Sequence, residues 1–218
     1  MKKYKILHNR LIDITYQKQL SHISSCVTTL PILYDIYENK NDNDIVILSN
    51  GHAGLAQYVC MEYFENKDAV YLFDKFGVHP EKSLSDGIFA TTGSLGLGLP
   101  IALGAAMADP DRNVHCIISD GECCEGSIWE CLYFLSKNPL YNLYIYVNLN
   151  GFSAYSKVDI TKLSNTIRAF GVSRIKLVNT SDILRNYTLL NTKAIEAHYI
   201  KIKNQEELNQ LKYEINDI

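Results

Sequence analysis

The sequence predicts an α/β protein built on a mostly parallel sheet, and three observations carry that expectation. Two short β-branched runs, Ile45-Val46-Ile47-Leu48 and Val114-His115-Cys116-Ile117-Ile118, read as buried strands. Residues 114–147 read as a strand–helix–strand unit, and such units are parallel and right-handed almost without exception. The chain has 218 residues, 47% apolar and 21% charged, which suits one compact domain over residues 1–218 and excludes wholesale disorder.

Taken in order, Tyr4, Ile6, Leu7, Leu11, Ile12 and Ile14 recur at helical spacing. A polar break, Gln19 to Ser25, separates them from a second apolar face made of Val27, Leu30, Leu33, Tyr34 and Tyr37. The polar turn 39–44 leads into the first strand, and Leu55 to Tyr63 follows as a helix. Between Tyr71 and Phe89 the period is lost and Gly77, His79, Pro80 and Gly87 punctuate the chain, so this stretch reads as an irregular surface loop. A glycine-rich turn, Gly93 to Gly98, feeds a helix over Leu99 to Ala108. After the strand at Val114, Glu125 to Ser136 is helical and Leu143 to Val147 is the next strand. Leu163 to Phe170 reads as a helix, Ser173 to Val178 as a strand, His198 to Ile202 as a last strand and Glu206 to Ile215 as a polar closing helix.

The net charge of −3 argues against a nucleic-acid-coating surface, and no apolar stretch approaches the ~20 residues of a membrane span. The six cysteines form no C-x-x-C and no zinc spacing, and the adjacent pair Cys123-Cys124 is a poor disulfide framework. With no signal peptide in MKKYKILHNR, the expectation is a protein of the reducing cytoplasm.

The chemistry concentrates where two strands end. Parallel pairing brings Asp120 and Asn150 to the carboxyl edge of one sheet, where open α/β folds hold ligands. A carboxylate, an amide oxygen and a nearby backbone carbonyl form an incomplete oxygen shell, of the kind Mg²⁺ takes when a diphosphate completes it. Gly121 lets a phosphate approach the main chain, and its N–H is a possible donor. The turn Thr91-Thr92-Gly93-Ser94-Leu95-Gly96-Leu97-Gly98 supplies further main-chain donors ahead of a helix.

These blocks resemble the transketolase family. Ser119-Asp120-Gly121-Glu122, Glu125-Gly126, Trp129-Glu130 and Asn150-Gly151 follow its thiamine-diphosphate motif. Ile47 to Ala53 resembles its "LSNGHA" segment, and His79-Pro80-Glu81 with Thr91 to Gly96 resembles "HPE…TTGSLGQG". Ser21-His22-Ile23 looks like the N-terminal "GHIGGS" of the short, two-subunit forms. Residues 15–152 carry the likeness. It implies a three-layer α/β/α thiamine-diphosphate-binding fold. It also implies Asp120, Asn150 and the Phe152 carbonyl as Mg²⁺ ligands, with Gly93 and Gly121 against the cofactor and Leu95 beside its aminopyrimidine. His52 is implied as the cofactor-side histidine and His22 and His79 as substrate-channel histidines, and Glu125 and Glu130 as catalytic-site glutamates that line a subunit interface and connect its two active sites. The family's ylid-forming glutamate lies in a separate pyrimidine-binding domain. The resemblance therefore implies a partner chain carrying that domain, a heterotetramer, and ketol transfer between sugars or sugar phosphates.

The departures are Ser24-Ser25 and Ser119 in place of glycines, Leu97 in place of Gln, and no counterpart to a later histidine-bearing loop. Two rival readings follow. One is a component of another thiamine-diphosphate enzyme, making 1-deoxyxylulose phosphate or acting on 2-oxo acids. The other is a cofactor-free regulatory paralogue.

Overall fold

The computed structural model describes residues 2–153, 156–191 and 199–214. Two helices come first, α1 (Lys2–Gln17) and α2 (Ile23–Asn39), then strand β1 (Ile45–Leu48). Helices α3 (Gly54–Glu65), α4 (Ala69–Phe76) and α5 (Gly98–Ala108) precede β2 (Val114–Ser119). Helix α6 (Gly126–Lys137) joins β2 to β3 (Leu143–Leu149), and α7 (Ile160–Ala169) joins β3 to β4 (Ile175–Asn179). The polar α8 (Gln205–Glu214) closes the described chain.

All pairings are parallel and the sheet order is β1-β2-β3-β4. Because strand side chains alternate, each strand feeds two cores. Ile45, Ile47, Val114, Cys116, Ile118, Ile145 and Val147 pack on one face with Leu99 of α5, Leu132 of α6 and Ile167 of α7. Val46, Leu48 and Ile117 face the other way, against Leu11 of α1, Leu33 of α2 and Val59 of α3. The result is the expected three-layer α/β/α arrangement. A single hand of crossover accounts for α5, α6 and α7 sharing one face. Among the described residues no helix is long and apolar enough to cross a membrane.

Two expectations need correction. The stretch read as loop from Tyr71 begins inside α4, an eight-residue helix. The Asp68 carboxylate caps it, accepting from the N–H groups of Val70 (2.9 Å) and Tyr71 (3.0 Å), and Gly77 ends it with φ 71°. The irregular chain therefore runs from 77 to 97. The last strand does not form over 199–202, and His198 lies outside the described residues. Ile202 is instead buried among the helices, where its carbonyl accepts from the Gln19 side-chain amide (3.2 Å).

His8 in α1 is fully buried. Its Nε2 meets the Tyr187 hydroxyl at 2.8 Å, and the two rings stack with centroids 5.6 Å apart. Burial pushes its pKa from 6.5 down to about 4. Between those values the unfolded chain takes up the proton before the folded one, so stability is full above pH 6.5 and falls as pH drops toward 4. A shift of that size corresponds to about 3 kcal/mol. Thermal melts from pH 7 to 4 should fall more steeply for the native chain than for His8→Gln, which cannot titrate. Equal slopes would dismiss the assignment.

Candidate active site

All four strands end on one edge of the sheet. Ser119 is level with Asn148, and Leu149 with Asn179. The ladder continues one step beyond the strands, through Asp120 N–H to the Asn148 carbonyl (3.0 Å) and Thr180 N–H to the Leu149 carbonyl (3.0 Å). Above this edge lies a cleft of about 220 Å³. His22, His52, His79, Gly93, Leu95, Gly121, Asn150 and Phe152 all line it.

Three different segments bring the histidines together. His22 precedes α2 in the left-handed region (φ 64°), and its Nδ1 lies 3.0 Å from the Ser21 hydroxyl. His52 sits in a single 3₁₀ turn directly after β1, with its ring centroid 5.8 Å from that of His22. His79 covers Gly93. A Cβ at that glycine would come within 2.7 Å of the imidazole and would have to occupy φ +129°. Glycine is therefore required there by both shape and backbone conformation.

Of the oxygen ligands implied by the sequence, Asn150 and Phe152 line the cleft, while Asp120 is buried behind Ser119 and Gly121, which do. Asp120 is 1% exposed. Its Oδ1 accepts from Gly121 N–H (3.0 Å) and its Oδ2 from Gly151 N–H (2.6 Å). Burial raises its pKa to about 7 against those main-chain donors, which favour the ionised form. The Asn150 Oδ1 accepts from Phe152 N–H (2.9 Å), which turns the chain so that the Phe152 carbonyl lies 3.8 Å from where a Gly121 Cβ would stand. A carboxylate, an amide oxygen and a main-chain carbonyl are hard donors of the type Mg²⁺ selects, and each retains unused lone pairs. The donor set therefore fits a magnesium–diphosphate group. One detail differs from expectation: the Gly121 N–H donates to its neighbour Asp120, so what Gly121 offers the cleft is absence of a side chain.

Two features beneath the cleft go beyond the sequence reading. The first is Glu122, fully buried. Its Oε1 accepts from the Ser49 hydroxyl (2.5 Å) and Gly96 N–H (3.0 Å), and its Oε2 accepts from Ser119 N–H (3.0 Å). The Ser49 oxygen in turn accepts from Gly98 N–H (3.1 Å), and a Cβ at Gly98 would meet that serine at 2.4 Å. One carboxylate thus ties the ends of β1 and β2 to the glycine turn. The second is a polar layer around Asn148. Its amide donates to the Thr28 (3.2 Å) and Thr29 (3.1 Å) hydroxyls and accepts from Thr180 (2.5 Å), while Asn50 also donates to Thr29 (3.0 Å). It joins α2 to the strand ends, so His22 is held in register with β3.

Glu125 and Glu130 stand apart: both are exposed and neither lines the cleft. Glu125 lies over Gly96, where an added Cβ would come within 2.7 Å of its own Cβ. Five cysteines are buried, Cys124 is exposed, and all six are free, in keeping with small core side chains.

With this geometry in place, comparison with known proteins shows what the chain is similar to. The family model described as "Thiamine pyrophosphate enzyme, C-terminal TPP binding domain" matches residues 69–148. The chain is 32% identical over 161 residues to one of the subunits of the apulose-4-phosphate transketolase of Phocaeicola vulgatus, covering 65% of this chain and 57% of that one. It is 31% identical over 163 residues to the SqwG subunit of the 6-deoxy-6-sulfo-D-fructose transketolase of a Clostridium species, covering 66% and 58%. It therefore spans under two thirds of the length of these relatives. The fold is shared with the transketolases of Leishmania mexicana (TM-score 0.64, 20% identity, 78% of this chain and 30% of that one) and Campylobacter jejuni (TM-score 0.59, 20% identity, 77% and 31%). In its motifs and over about two thirds of its length the chain is thus similar to transketolase subunits, and it shares the transketolase fold.

Proposed function

We propose that the chain is the diphosphate-binding subunit of a thiamine diphosphate- and Mg²⁺-dependent transketolase, moving a two-carbon ketol unit from a ketose to an aldose. The observation that carries this reading is the buried Asp120 beside Asn150 and the Phe152 carbonyl, at the strand ends under a cleft walled by three histidines. The relatives' names describe them as individual subunits of a transketolase, which supports a partner chain bearing the pyrimidine-binding domain, and a heterotetramer follows by analogy.

In this reading Asp120, Asn150 and the Phe152 carbonyl hold Mg²⁺, and Gly93 and Gly121 leave room for the cofactor. Leu95 offers the aminopyrimidine an apolar surface. The bound cofactor supplies the carbanion-stabilising centre at which the carbon–carbon bond is cleaved and formed. His52 faces the cofactor. His22 and His79 hydrogen-bond sugar hydroxyls and carry protons to and from them, work suited to a side chain that titrates near neutral pH. Glu125 and Glu130, exposed and outside the lining of the cleft, are assigned to a subunit interface that connects two active sites, an assignment supported by the motif resemblance alone. A cytoplasmic setting accords with the free cysteines.

Calorimetry and a ketol-transfer assay test the proposal together. Thiamine diphosphate should bind to the complex with a partner pyrimidine-domain chain only when Mg²⁺ is present, and transfer should require both chains. Absence of metal-dependent binding in the complex overturns the reading, and full transfer by this chain alone overturns the division between subunits.

A further inference from the structure

A second cleft, of about 340 Å³, opens directly beside the first and shares Asn150, Phe152 and Leu184 with it. Its size falls in the range of small-molecule sites. Two cationic side chains, Lys157 and Arg185, line it with Ser181 and Asn191, and among the described residues no carboxylate does. That charge pattern stands out on a chain of net charge −3. Two other clefts mix the charges instead: one sets Arg112 among Asp44, Asp109 and Asp111, and the other sets Lys40, Lys67 and Arg112 against Asp42, Asp44 and Glu65.

The fold sets both cations against the oxygen-ligand wall. Lys157 pairs across an antiparallel bridge with Phe152, reinforced by Val158 N–H donating to the Gly151 carbonyl (2.9 Å). Arg185 follows Leu184, a 7% exposed residue that forms part of both clefts, in a 3₁₀ turn anchored by Ile183 N–H to the Thr180 carbonyl (3.1 Å). Arg185 pairs with Asp182 at 2.8 Å, but both side chains are more than 70% exposed. Such solvated pairs contribute little, so the guanidinium can turn to a stronger, bidentate oxyanion partner.

We infer that this basic annex is a phosphate-binding subsite, with Lys157 and Arg185 its ligands. The inference rests on the proposed function for the identity of the ligand, and the phosphate has two chemical sources there. It is either the terminal phosphate of the cofactor's diphosphate, reaching past Asn150, or the phosphate of a sugar substrate.

Inorganic phosphate is the first probe, because its binding to the chain does not depend on the proposed function. Titrated by calorimetry at low ionic strength, it should bind the native chain about tenfold more tightly than the double variant Lys157→Gln, Arg185→Gln, the difference shrinking as salt is added. Both side chains are exposed at the surface, so the variant should melt like the native chain. Two further arms use the complex with its partner and assign the source. A tenfold loss of affinity for thiamine diphosphate, with thiamine unaffected, assigns the annex to the cofactor. A tenfold rise in KM for a phosphorylated sugar, with its unphosphorylated form unaffected, assigns it to substrate. Equal binding of inorganic phosphate by native chain and variant overturns the subsite. If the phosphate arm succeeds and thiamine diphosphate fails to bind the native complex, the annex stands and the proposed function falls.

Discussion

Replacing Asp120 with Asn should weaken Mg²⁺-dependent binding of thiamine diphosphate by at least about 100-fold, which corresponds to about 3 kcal/mol. The expectation follows from the environment of the carboxylate. Asp120 is almost wholly buried, and its two oxygens are oriented by Gly121 and Gly151 N–H groups. Such a group is costly in an apolar interior unless a cation shares its charge, and Mg²⁺ would supply that charge. The asparagine amide retains the shape but carries no charge and offers one oxygen where the carboxylate has two, so one of the two N–H donors also faces an NH₂ group. Stability and binding should therefore separate. Without ligand, the variant should melt within a few degrees of the native chain, because a buried charge has been removed along with one hydrogen bond. With Mg²⁺ and thiamine diphosphate, the native complex should gain several degrees by linkage and the variant should gain almost none. Calorimetric titration measures the affinity and differential scanning measures the gain. An affinity loss below threefold would remove Asp120 from the metal site and with it the central support for the proposed function.

The parts of this site that are legible in the sequence are those fixed by local pattern plus one topological rule. A buried run ending in Asp120, a helix, and a second run ending in Asn150 place both residues on one edge once the strands are parallel, and the register bears this out. The meeting of His22 with His52 cannot be read from periodicity, because they come from different segments joined through the Asn148–Thr29–Asn50 hydrogen bonds. Only the family motifs point to them. Helix α4 escapes a periodicity reading because two turns are too short to show a period, although Asp68 and Gly77 are available as cap signals. Ile200 and Ile202 imitate strand alternation, but Ile202 is buried among helices instead. Glu122 escapes for the opposite reason. In a run of polar residues a glutamate reads as solvated, and only the tertiary structure places Ser49, Gly96 and Ser119 around it. A serine at one strand end and a glutamate just past the next are the available signal.

The substitution with the largest expected effect on stability is Glu122→Ala. It removes the acceptor shared by the Ser49 hydroxyl and the N–H groups of Gly96 and Ser119 in a region closed to solvent. Leaving buried donors unpaired costs about 1–3 kcal/mol each, and breaking such a network costs about 3–5 kcal/mol in total. For a chain of this size that corresponds to a fall of about 10 °C in Tm. Ser49→Ala should cost less, about 1–2 kcal/mol, because Glu122 keeps its main-chain donors and only Gly98 N–H loses its acceptor. The double variant then discriminates between a network and a set of separate bonds. If Ser49 and Glu122 act through each other, the combined loss should fall short of the sum by about 1 kcal/mol or more. Amide hydrogen exchange gives the local readout: Gly96 and Gly98 should lose protection in both single variants, while Val147 in β3 should keep it in Ser49→Ala. Strict additivity, or unchanged exchange at the glycine turn in both variants, would reduce Glu122 to a buried charge with independent neighbours. The cleft's glycine wall would then have to be held by packing alone, through Gly98 against Ser49 and Gly93 against His79.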